Sequence, residues 1–113
     1  MELHLVHFKK EYGHDIGESL AKRASDNLAV LGIFFQIEEK DNPALEPLMD
    51  ALKGVTEKDK KTDMKSFALK DFLPRNTHSF YRYEGSLTTP GCNEVVVWTV
   101  FKVNVIGTIF CDF

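Results

Sequence analysis

The first seven residues contain the side chains best suited to chemistry, Glu2, His4 and His7. If this segment is a β-strand, residues two apart share a face, so Glu2 and His4 point one way and His7 points the other. The two histidines therefore cannot hold one metal ion from a regular strand. A carboxylate beside an imidazole is the arrangement found behind metal-ligating histidines. A strand histidine satisfied by ordinary hydrogen bonds fits the same pattern, and both interpretations stay open.

A second candidate is the loop 85–91, with the sequence GSLTTPG. Its two glycines and one proline predict a tight, shaped turn. A threonine hydroxyl in such a loop can donate one hydrogen bond and accept another, and neighbouring backbone N–H groups can meet an anion. A plain connection between two strands explains the same composition, so the loop alone does not specify a site.

The valine-rich segment 94–105 contains the single tryptophan, Trp98. This side chain could form the wall of a pocket, although burial in a core explains it equally well. The sequence has no nucleophile elbow, glycine-rich phosphate loop or dinucleotide-binding signature. The chemistry must therefore be sought in the histidine segment and the threonine loop.

The elements that would position these residues are mostly strands. Alternation and β-branched residues predict strands, and apolar residues at helical spacing after Asn42-Pro43 predict one clear helix that Gly54 ends. The run 28–38 is apolar on both faces, which favours a central strand. The predicted strands are 1–8, 28–38, 80–83 and 94–105, with a helical turn at 17–23 and a helix from 43. Pairing between such distant segments predicts a mainly β, α+β fold.

Composition excludes several classes of protein. The chain has 113 residues, which is one domain at most, and its net charge of −3 argues against a nucleic-acid-binding protein, which would normally have a basic face. No apolar run reaches the roughly 18 residues of a membrane span. The N-terminal residues do not have the pattern of a secretory signal. Two cysteines, Cys92 and Cys111, cannot form a disulfide framework.

Three blocks of sequence resemble the α-class carbonic anhydrases in type, order and spacing, with a pattern nearest to the secreted or membrane-attached members. They are 2–8 (ELHLVHF), 28–35 (LAVLGIFF), and 83–90 (YEGSLTTP) together with 96–100 (VVWTV). The resemblance covers residues 1–102 and corresponds to the later half of the family domain. It implies part of a large, twisted, mostly antiparallel sheet with peripheral helices. Residues 103–113 resemble nothing in the family and are expected to be a divergent tail.

The resemblance also implies a zinc site. In this family, three histidines and a water hold Zn²⁺, which lowers the pKa of the water to about 7 and makes hydroxide available to attack CO₂. His4 matches the third zinc ligand, and Glu2 matches the carboxylate behind a ligand. Thr88 matches the catalytic threonine, whose hydroxyl accepts the proton of the hydroxide and whose N–H meets the substrate. His7 matches a buried structural histidine.

The implied substrates are CO₂ and bicarbonate, with no nucleic acid or membrane span involved. Thr88 and Thr89 match the residues on the bicarbonate side of the site. An apolar wall suits an uncharged substrate that forms no hydrogen bonds and keeps competing water out. The residues that match this wall are Val6, Val30, Leu87, Val96 and Trp98.

The departures from the family pattern lead to further expectations. The positions of the first two zinc histidines, the glutamate behind the threonine and the proton-shuttle histidine lie before Met1 in the family. We therefore expect this chain to be a fragment that supplies one of three zinc ligands and is inactive alone. A carbonic-anhydrase-related binding module without catalysis is the alternative. Cys92 matches a cysteine that forms a disulfide in secreted and membrane-attached relatives, which implies an extracellular parent protein.

Overall fold

The computed structural model describes residues 1–22 and 24–106. Within them, the sheet is formed by five strands: β1 (Glu2–Phe8), β2 (Leu28–Gln36), β3 (Phe80–Gly85), β4 (Val96–Phe101) and β5 (Val105–Ile106). The helices are α1 (Ile16–Ala21) and α2 (Glu46–Leu52), with 3₁₀ turns at Lys10–Tyr12, Pro43–Leu45 and Leu69–Phe72. The mainly β fold expected from the sequence is thereby confirmed.

The strand order is β1-β2-β4-β3. β1 pairs antiparallel with β2, and β3 pairs antiparallel with β4. β2 and β4 run parallel, and β5 pairs parallel with the far end of β2. The sheet is therefore mixed, with β1 and β3 as the edge strands of the ordered path. The parallel pair requires the long connection 37–95, which carries α2 and β3.

The central position predicted for β2 is confirmed by burial on both of its faces. Val30 and Ile33 point to opposite faces, and both are almost completely buried. One hydrophobic core lies beneath α2 and the turn Leu69–Phe72 and includes Ile33, Phe72 and Phe101. The other lies on the opposite face and includes Val30 and Trp98. Two cores on one sheet explain why β2 is apolar along most of its length.

The predicted strand 94–105 is two strands in the structure. β4 ends at Phe101, and β5 begins at Val105 after a bend in which Lys102 and Asn104 are exposed. Asn104 is a common turn former and Lys102 favours solvent over a core position, so the ladder is interrupted there. Residues 107–113, with Cys111, and Arg23 at the end of the expected helical turn lie outside the described residues.

Side chains from flanking residues begin the helices. Oδ1 of Asp15 accepts the N–H of Glu18 at 2.8 Å and caps α1. Oδ1 of Asn42 accepts the N–H of Ala44 at 3.0 Å, immediately before Pro43 at the start of the 3₁₀ turn. Each cap satisfies a donor that the first turn leaves without an intrahelical partner. No helix in the described ranges is long and apolar enough to cross a membrane.

Candidate active site

One face of the sheet, which we call the site face, brings together most of the residues singled out from the sequence. Residues directly opposite in neighbouring strands share a face. His4 is opposite Gly32, and Val6 is opposite Val30. Val30 is in turn opposite Trp98. The site face therefore contains Glu2, His4 and Val6 from β1, Val30 and Gly32 from β2, and Val96, Trp98 and Val100 from β4.

Glu2 and His4 contact each other, as the strand alternation predicted. Nε2 of His4 lies within hydrogen-bonding distance of Oε1 of Glu2. An ionised carboxylate only accepts hydrogen bonds, so Nε2 of the imidazole carries the proton and donates it. In the neutral ring, Nδ1 then carries the lone pair, and no other described residue hydrogen-bonds to it. This is the tautomer required for a metal ligand that binds through Nδ1.

The edge of the imidazole also packs against Trp98. The centroids of the two rings are 4.8 Å apart and their planes are inclined by 71°. Gly32 lies opposite His4 in the register, and a Cβ atom built at this glycine would be 3.8 Å from Cζ3 of Trp98 and 3.2 Å from Cγ2 of Val100. The missing side chain at Gly32 leaves space on the site face between the imidazole and β4. Trp98 and Glu2 therefore restrict the imidazole on two sides.

Trp98 is itself held in one orientation. Its Nε1–H donates to the carbonyl oxygen of Ser86 at 3.0 Å, and the ring of Tyr83 stacks against it at 6.4 Å with an angle of 14°. A Cβ atom at Gly85 would lie 3.1 Å from Cδ1 of Trp98, a tight contact that glycine avoids. Only 5% of the tryptophan surface is exposed. The indole is a fixed wall of the site face.

The apolar residues expected to form the wall are in contact, with one exposed member. Val30, Val96 and Trp98 belong to a single buried cluster, and Leu87 from the loop packs against it. Val6 lies opposite Val30 but is 45% exposed. The structure therefore presents a buried apolar floor at β2 and β4 and an exposed apolar side chain at β1.

The threonines occupy the exposed side of the loop. The carbonyl oxygen of Thr89 accepts the N–H of Cys92 at 3.0 Å, which closes a turn with positive φ at Gly91 (110°) and Cys92 (44°). The N–H of Leu87 donates to the carbonyl oxygen of Asn93 at 3.0 Å, which fixes the base of the loop. Thr88 and Thr89 are exposed, and in the described part of the chain neither hydroxyl has a hydrogen bond. The loop is an ordered turn that leaves the hydroxyl groups accessible.

His7 faces away from the site, as the alternation predicted. Its Nδ1 lies 3.3 Å from the carbonyl oxygen of its register partner Ala29. The expectation that it is buried was wrong, because the side chain is exposed at the β1 edge. No strand lies beyond this edge in the described residues to cover it.

The described side chains do not form a complete metal site by themselves. Within residues 1–22 and 24–106, no group of three or more His, Cys, Asp or Glu side chains converges to hold a metal ion. The His4 imidazole fits a single ligand, because a carboxylate fixes one of its nitrogens and leaves the other directed elsewhere. Among the described residues, Cys92 is an exposed free thiol.

Several residues that shape the site were not assigned a role from the sequence. Gly32 leaves room for Val100, Gly85 allows the close approach of Trp98, and Tyr83 and Ser86 fix its ring. The signal for Gly32 was present, because a glycine inside an otherwise apolar strand indicates a close approach of neighbouring groups. Tyr83 gave no signal, because its stacking depends on the register between β3 and β4.

Comparison with known proteins identifies the family. The family model for eukaryotic-type carbonic anhydrase matches residues 1–107. The chain is 40% identical over 103 residues to carbonic anhydrase 6 of Mus musculus, covering 90% of this chain and 32% of that protein. It is 42% identical over 102 residues to putative carbonic anhydrase 5 of Caenorhabditis elegans, covering 88% of this chain and 31% of that protein.

A third relative gives the same result. The chain is 38% identical over 101 residues to carbonic anhydrase 12 of Homo sapiens, covering 89% of this chain and 28% of that protein. The chain thus spans about a third of the length of these curated relatives. Because the family model and the relatives agree over nearly the whole chain, the chain belongs to the eukaryotic-type carbonic anhydrase family.

Proposed function

We propose that these residues form part of the site of a zinc-dependent enzyme that reversibly hydrates CO₂ to bicarbonate and a proton. The observation that carries the proposal is the Glu2–His4 pair, packed against Trp98 on the face that also holds the apolar cluster. A nitrogen ligand beside a dry wall is the combination that this reaction needs. Family membership supports the reaction class.

Within this proposal, Nδ1 of His4 is one zinc ligand and Glu2 is its supporting carboxylate. Zinc, when bound, would make hydroxide available at neutral pH. Glu2 accepts the Nε2–H of His4, which fixes the tautomer and makes the imidazole a better donor. The described residues provide this one nitrogen and no group of three ligand side chains, so the proposed role concerns His4 as one member of a larger set.

The apolar cluster is proposed to hold CO₂. Carbon dioxide is uncharged and gains little from polar groups, so exclusion of water is the main contribution that a protein wall can make. Val30, Val96 and Trp98 form the floor, and Leu87 covers it from the loop. Val6 is proposed to complete the wall at β1, where its side chain is the most exposed of the set.

The threonine loop is proposed to orient the reactants. The hydroxyl of Thr88 can accept one proton and donate another, so it can fix the direction of a nucleophile's lone pair. The backbone N–H of Thr88 can meet a substrate oxygen, and Thr89 is proposed to line the bicarbonate side. The exposed positions of both side chains on an ordered turn support these roles.

The exposed thiol of Cys92 supports an extracellular parent protein. A free cysteine on a surface turn is open to a disulfide partner, and disulfides persist mainly in oxidising compartments. We propose that Cys92 forms such a bond in the longer protein and that the protein is secreted or attached to the outer surface of a membrane.

Metal titration of paired histidine variants tests the proposed function. Zn²⁺ is titrated calorimetrically into the 113-residue chain, the His4→Ala variant and a His7→Ala control, which alters the opposite face of the same strand. We expect weak binding that is lost in the first variant and kept in the second. Equal binding by all three chains would contradict the role of His4.

The activity of the chain alone is a separate expectation. One imidazole cannot hold zinc as a closed set of ligands does, so stopped-flow measurements with added Zn²⁺ are expected to show no CO₂ hydration above the buffer rate. Turnover that a sulfonamide inhibits would show that the 113 residues are sufficient. It would contradict the expectation of an inactive fragment but would support the proposed reaction.

A further inference from the structure

The connection between α2 and the turn Leu69–Phe72 contains a continuous run of exposed residues. All eleven residues 56–66 are exposed, and none of them belongs to a helix or a strand. Their sequence is TEKDKKTDMKS, so four of the eleven are lysines. We call residues 56–66 the lysine segment. Exposed polar connections of this kind are preferred sites of proteolytic cleavage.

Few hydrogen bonds hold the backbone of the lysine segment. Among the described residues, its single backbone–backbone hydrogen bond runs from the N–H of Lys60 to the carbonyl oxygen of Glu57 at 3.3 Å. Nζ of Lys60 lies 3.6 Å from Oε2 of the same glutamate. The hydroxyl of Thr62 donates to the carbonyl oxygen of Asp63 at 3.4 Å. These contacts are local and exposed, so they contribute little to holding the segment in place.

Both ends of the lysine segment are anchored to the rest of the chain. Before it, Val55 is half-buried, and its N–H donates to the carbonyl oxygen of Leu52 at 3.1 Å. After it, Phe67 packs against the buried core, and the centroid of its ring lies 4.8 Å from that of Phe72 with an angle of 66°. The exposed run is therefore an internal connection between two fixed points of the fold.

Other basic residues lie in places where cleavage would first require local unfolding. Arg82 is in the middle of β3 and pairs with β4. Lys40 and Arg75 lie in other connections, but half-buried Asn42 and buried Pro74 are within two residues of them. A protease must bind several consecutive residues in an extended form, so structured or anchored sites are cut only from an opened state. The lysine segment does not have this requirement.

Both hydrophobic cores combine side chains from the two sides of the lysine segment. In one core, Ile33 from before it packs with Phe72 and Phe101 from after it. In the other, Val30 from before it packs with Trp98 from after it. Five residues of β2 also pair in parallel with five residues of β4. A cut within the lysine segment would therefore leave the sheet and both cores without a broken element.

We propose that the lysine segment is a cleavage site for endopeptidases that cut after lysine, and that the cut chain stays assembled as one two-part molecule. The bond between Lys61 and Thr62 is at the centre of the segment, with five exposed residues on each side. In the hydrolysis of this bond, water adds its hydroxyl to the carbonyl carbon of Lys61 and its proton to the nitrogen of Thr62. The products carry a new carboxylate and a new amino group on an exposed surface, where both are solvated.

Limited digestion of the 113-residue chain with trypsin tests both parts of the proposal. Mass spectrometry over a time course is expected to show the first cut after Lys60 or Lys61, before any cut at Arg82. Under native conditions the two products are expected to elute together at the position of the intact 12.9 kDa chain. They should separate in denaturant. Near-ultraviolet circular dichroism of Trp98 is expected to be the same before and after the cut.

Two quadruple variants test whether the location of the lysines matters. One replaces the lysines of the segment by glutamine, at positions 58, 60, 61 and 65, and its first cut is expected to be at least about tenfold slower, because the remaining sites require local opening. The matched control replaces four exposed lysines elsewhere, at positions 10, 22, 70 and 102, with the same change in charge. The control should be cut within the segment at the original rate.

Three results would overturn the proposal. The first is initial cleavage at Arg82 or at many positions at once, which would show that the lysine segment is not the accessible site. The second is equal cleavage rates for the two quadruple variants. The third is separation of the two products under native conditions as soon as the segment is cut, which would contradict the assembly of the cut chain.

Discussion

At the scale of single residues, the central feature is that the two ring nitrogens of His4 have different environments. Nε2 donates to Glu2, and Nδ1 is left with no hydrogen bond from the described residues. The ring also contacts Trp98, whose own position depends on Ser86 and Tyr83. The orientation of one imidazole therefore depends on residues from β1, β4, β3 and the loop that follows β3.

Replacement of Glu2 by Gln tests the supporting carboxylate. The amide can still form a hydrogen bond, but it no longer carries the charge that fixes Nε2 as the donor. We expect the weak binding of Zn²⁺ at His4 to become weaker still, the direction found when the partner behind a metal ligand is changed. Calorimetric titration measures the effect, with Glu11→Gln on the exposed 3₁₀ turn as a control. Unchanged affinity would show that Glu2 has no influence on the ligand.

Replacement of Gly85 by Ala tests the close packing around Trp98. The added Cβ would lie 3.1 Å from Cδ1 of Trp98 and 3.2 Å from Cε2 of Tyr83, so both rings must move. We expect a loss of about 1–3 kcal/mol in the free energy of unfolding, together with a change in Trp98 fluorescence.

Gly54→Ala serves as the matched control for this variant. There the nearest atom is the hydroxyl of Thr62, an exposed side chain that can rotate away. Denaturant unfolding of both variants measures the difference. Equal stability of the two would contradict the packing argument.

At the scale of elements, two contacts attach α1 and the preceding turn to the start of β2. Nδ2 of Asn27 donates to the carbonyl oxygen of Ser19, and the hydroxyl of Ser19 donates to the carbonyl oxygen of Asn27 at 3.2 Å. Both residues are fully buried. Leu20, the next residue of α1, packs against the apolar cluster of the site face. The polar link thus holds a helix that covers part of the site.

Removal of the Asn27 side chain should release this helix. In Asn27→Ala, the carbonyl oxygen of Ser19 keeps the N–H of Lys22 but loses its buried hydrogen bond from Asn27, which costs about 0.5–1.5 kcal/mol of unfolding free energy. Asn93→Ala is the control, because that side chain is exposed. Urea unfolding of both variants checks the expectation. A loss as small as that of the control would show that the link contributes little.

The second contact is an exposed ionic cluster that depends on pH. Nζ of Lys9 lies 2.7 Å from Oδ2 of Asp26, and the hydroxyl of Tyr12 donates to Oδ1 of Asp26 at 3.0 Å. The hydrogen bonds from Lys9 and then Tyr12 hold the pKa of Asp26 below its ordinary value of 3.8. The same carboxylate, followed by Tyr12, raises the pKa of Lys9.

The sign of the pH effect follows from the lowered pKa. The stabilisation by Asp26 is present above the pKa of the unfolded chain and is lost as pH falls through the lower pKa of the folded chain. We expect Asp26→Asn to be less stable than the original chain at neutral pH and to converge with it at strongly acidic pH. Thermal unfolding of both chains against pH measures this. A stability difference that persists at low pH would contradict the assignment.

The sequence could predict the elements but not all of their contacts. Alternation placed Glu2 and His4 together and His7 opposite, because side-chain direction in a strand is a local property. The apolar run of β2 likewise predicted its central position. The stacking of Tyr83 and the exposure of His7 could not be predicted, because they depend on strand register and on which strand lies at the edge.

At the scale of the whole molecule, the chain is a mixed sheet with a core on each face and an exposed strand at each end of the ordered path. It spans about a third of the length of its curated relatives. The described residues combine an apolar wall, proposed to hold the substrate, and a loop with one proposed ligand. The proposed contribution of this chain is therefore the wall, the loop and one imidazole.

Nitrogen-15 NMR of the histidine rings during titration with Zn²⁺ tests whether Nδ1 of His4 is the metal-binding atom. Spectra of the ¹⁵N-labelled chain contain separate resonances from Nδ1 and Nε2 of each of the four histidines. The resonances of His7, His14 and His78 serve as internal comparisons. We expect Zn²⁺ to shift the resonance of Nδ1 of His4 while Nε2 keeps its proton and its hydrogen bond to Glu2. A shift at Nε2 of His4, or shifts only at the other histidines, would contradict it.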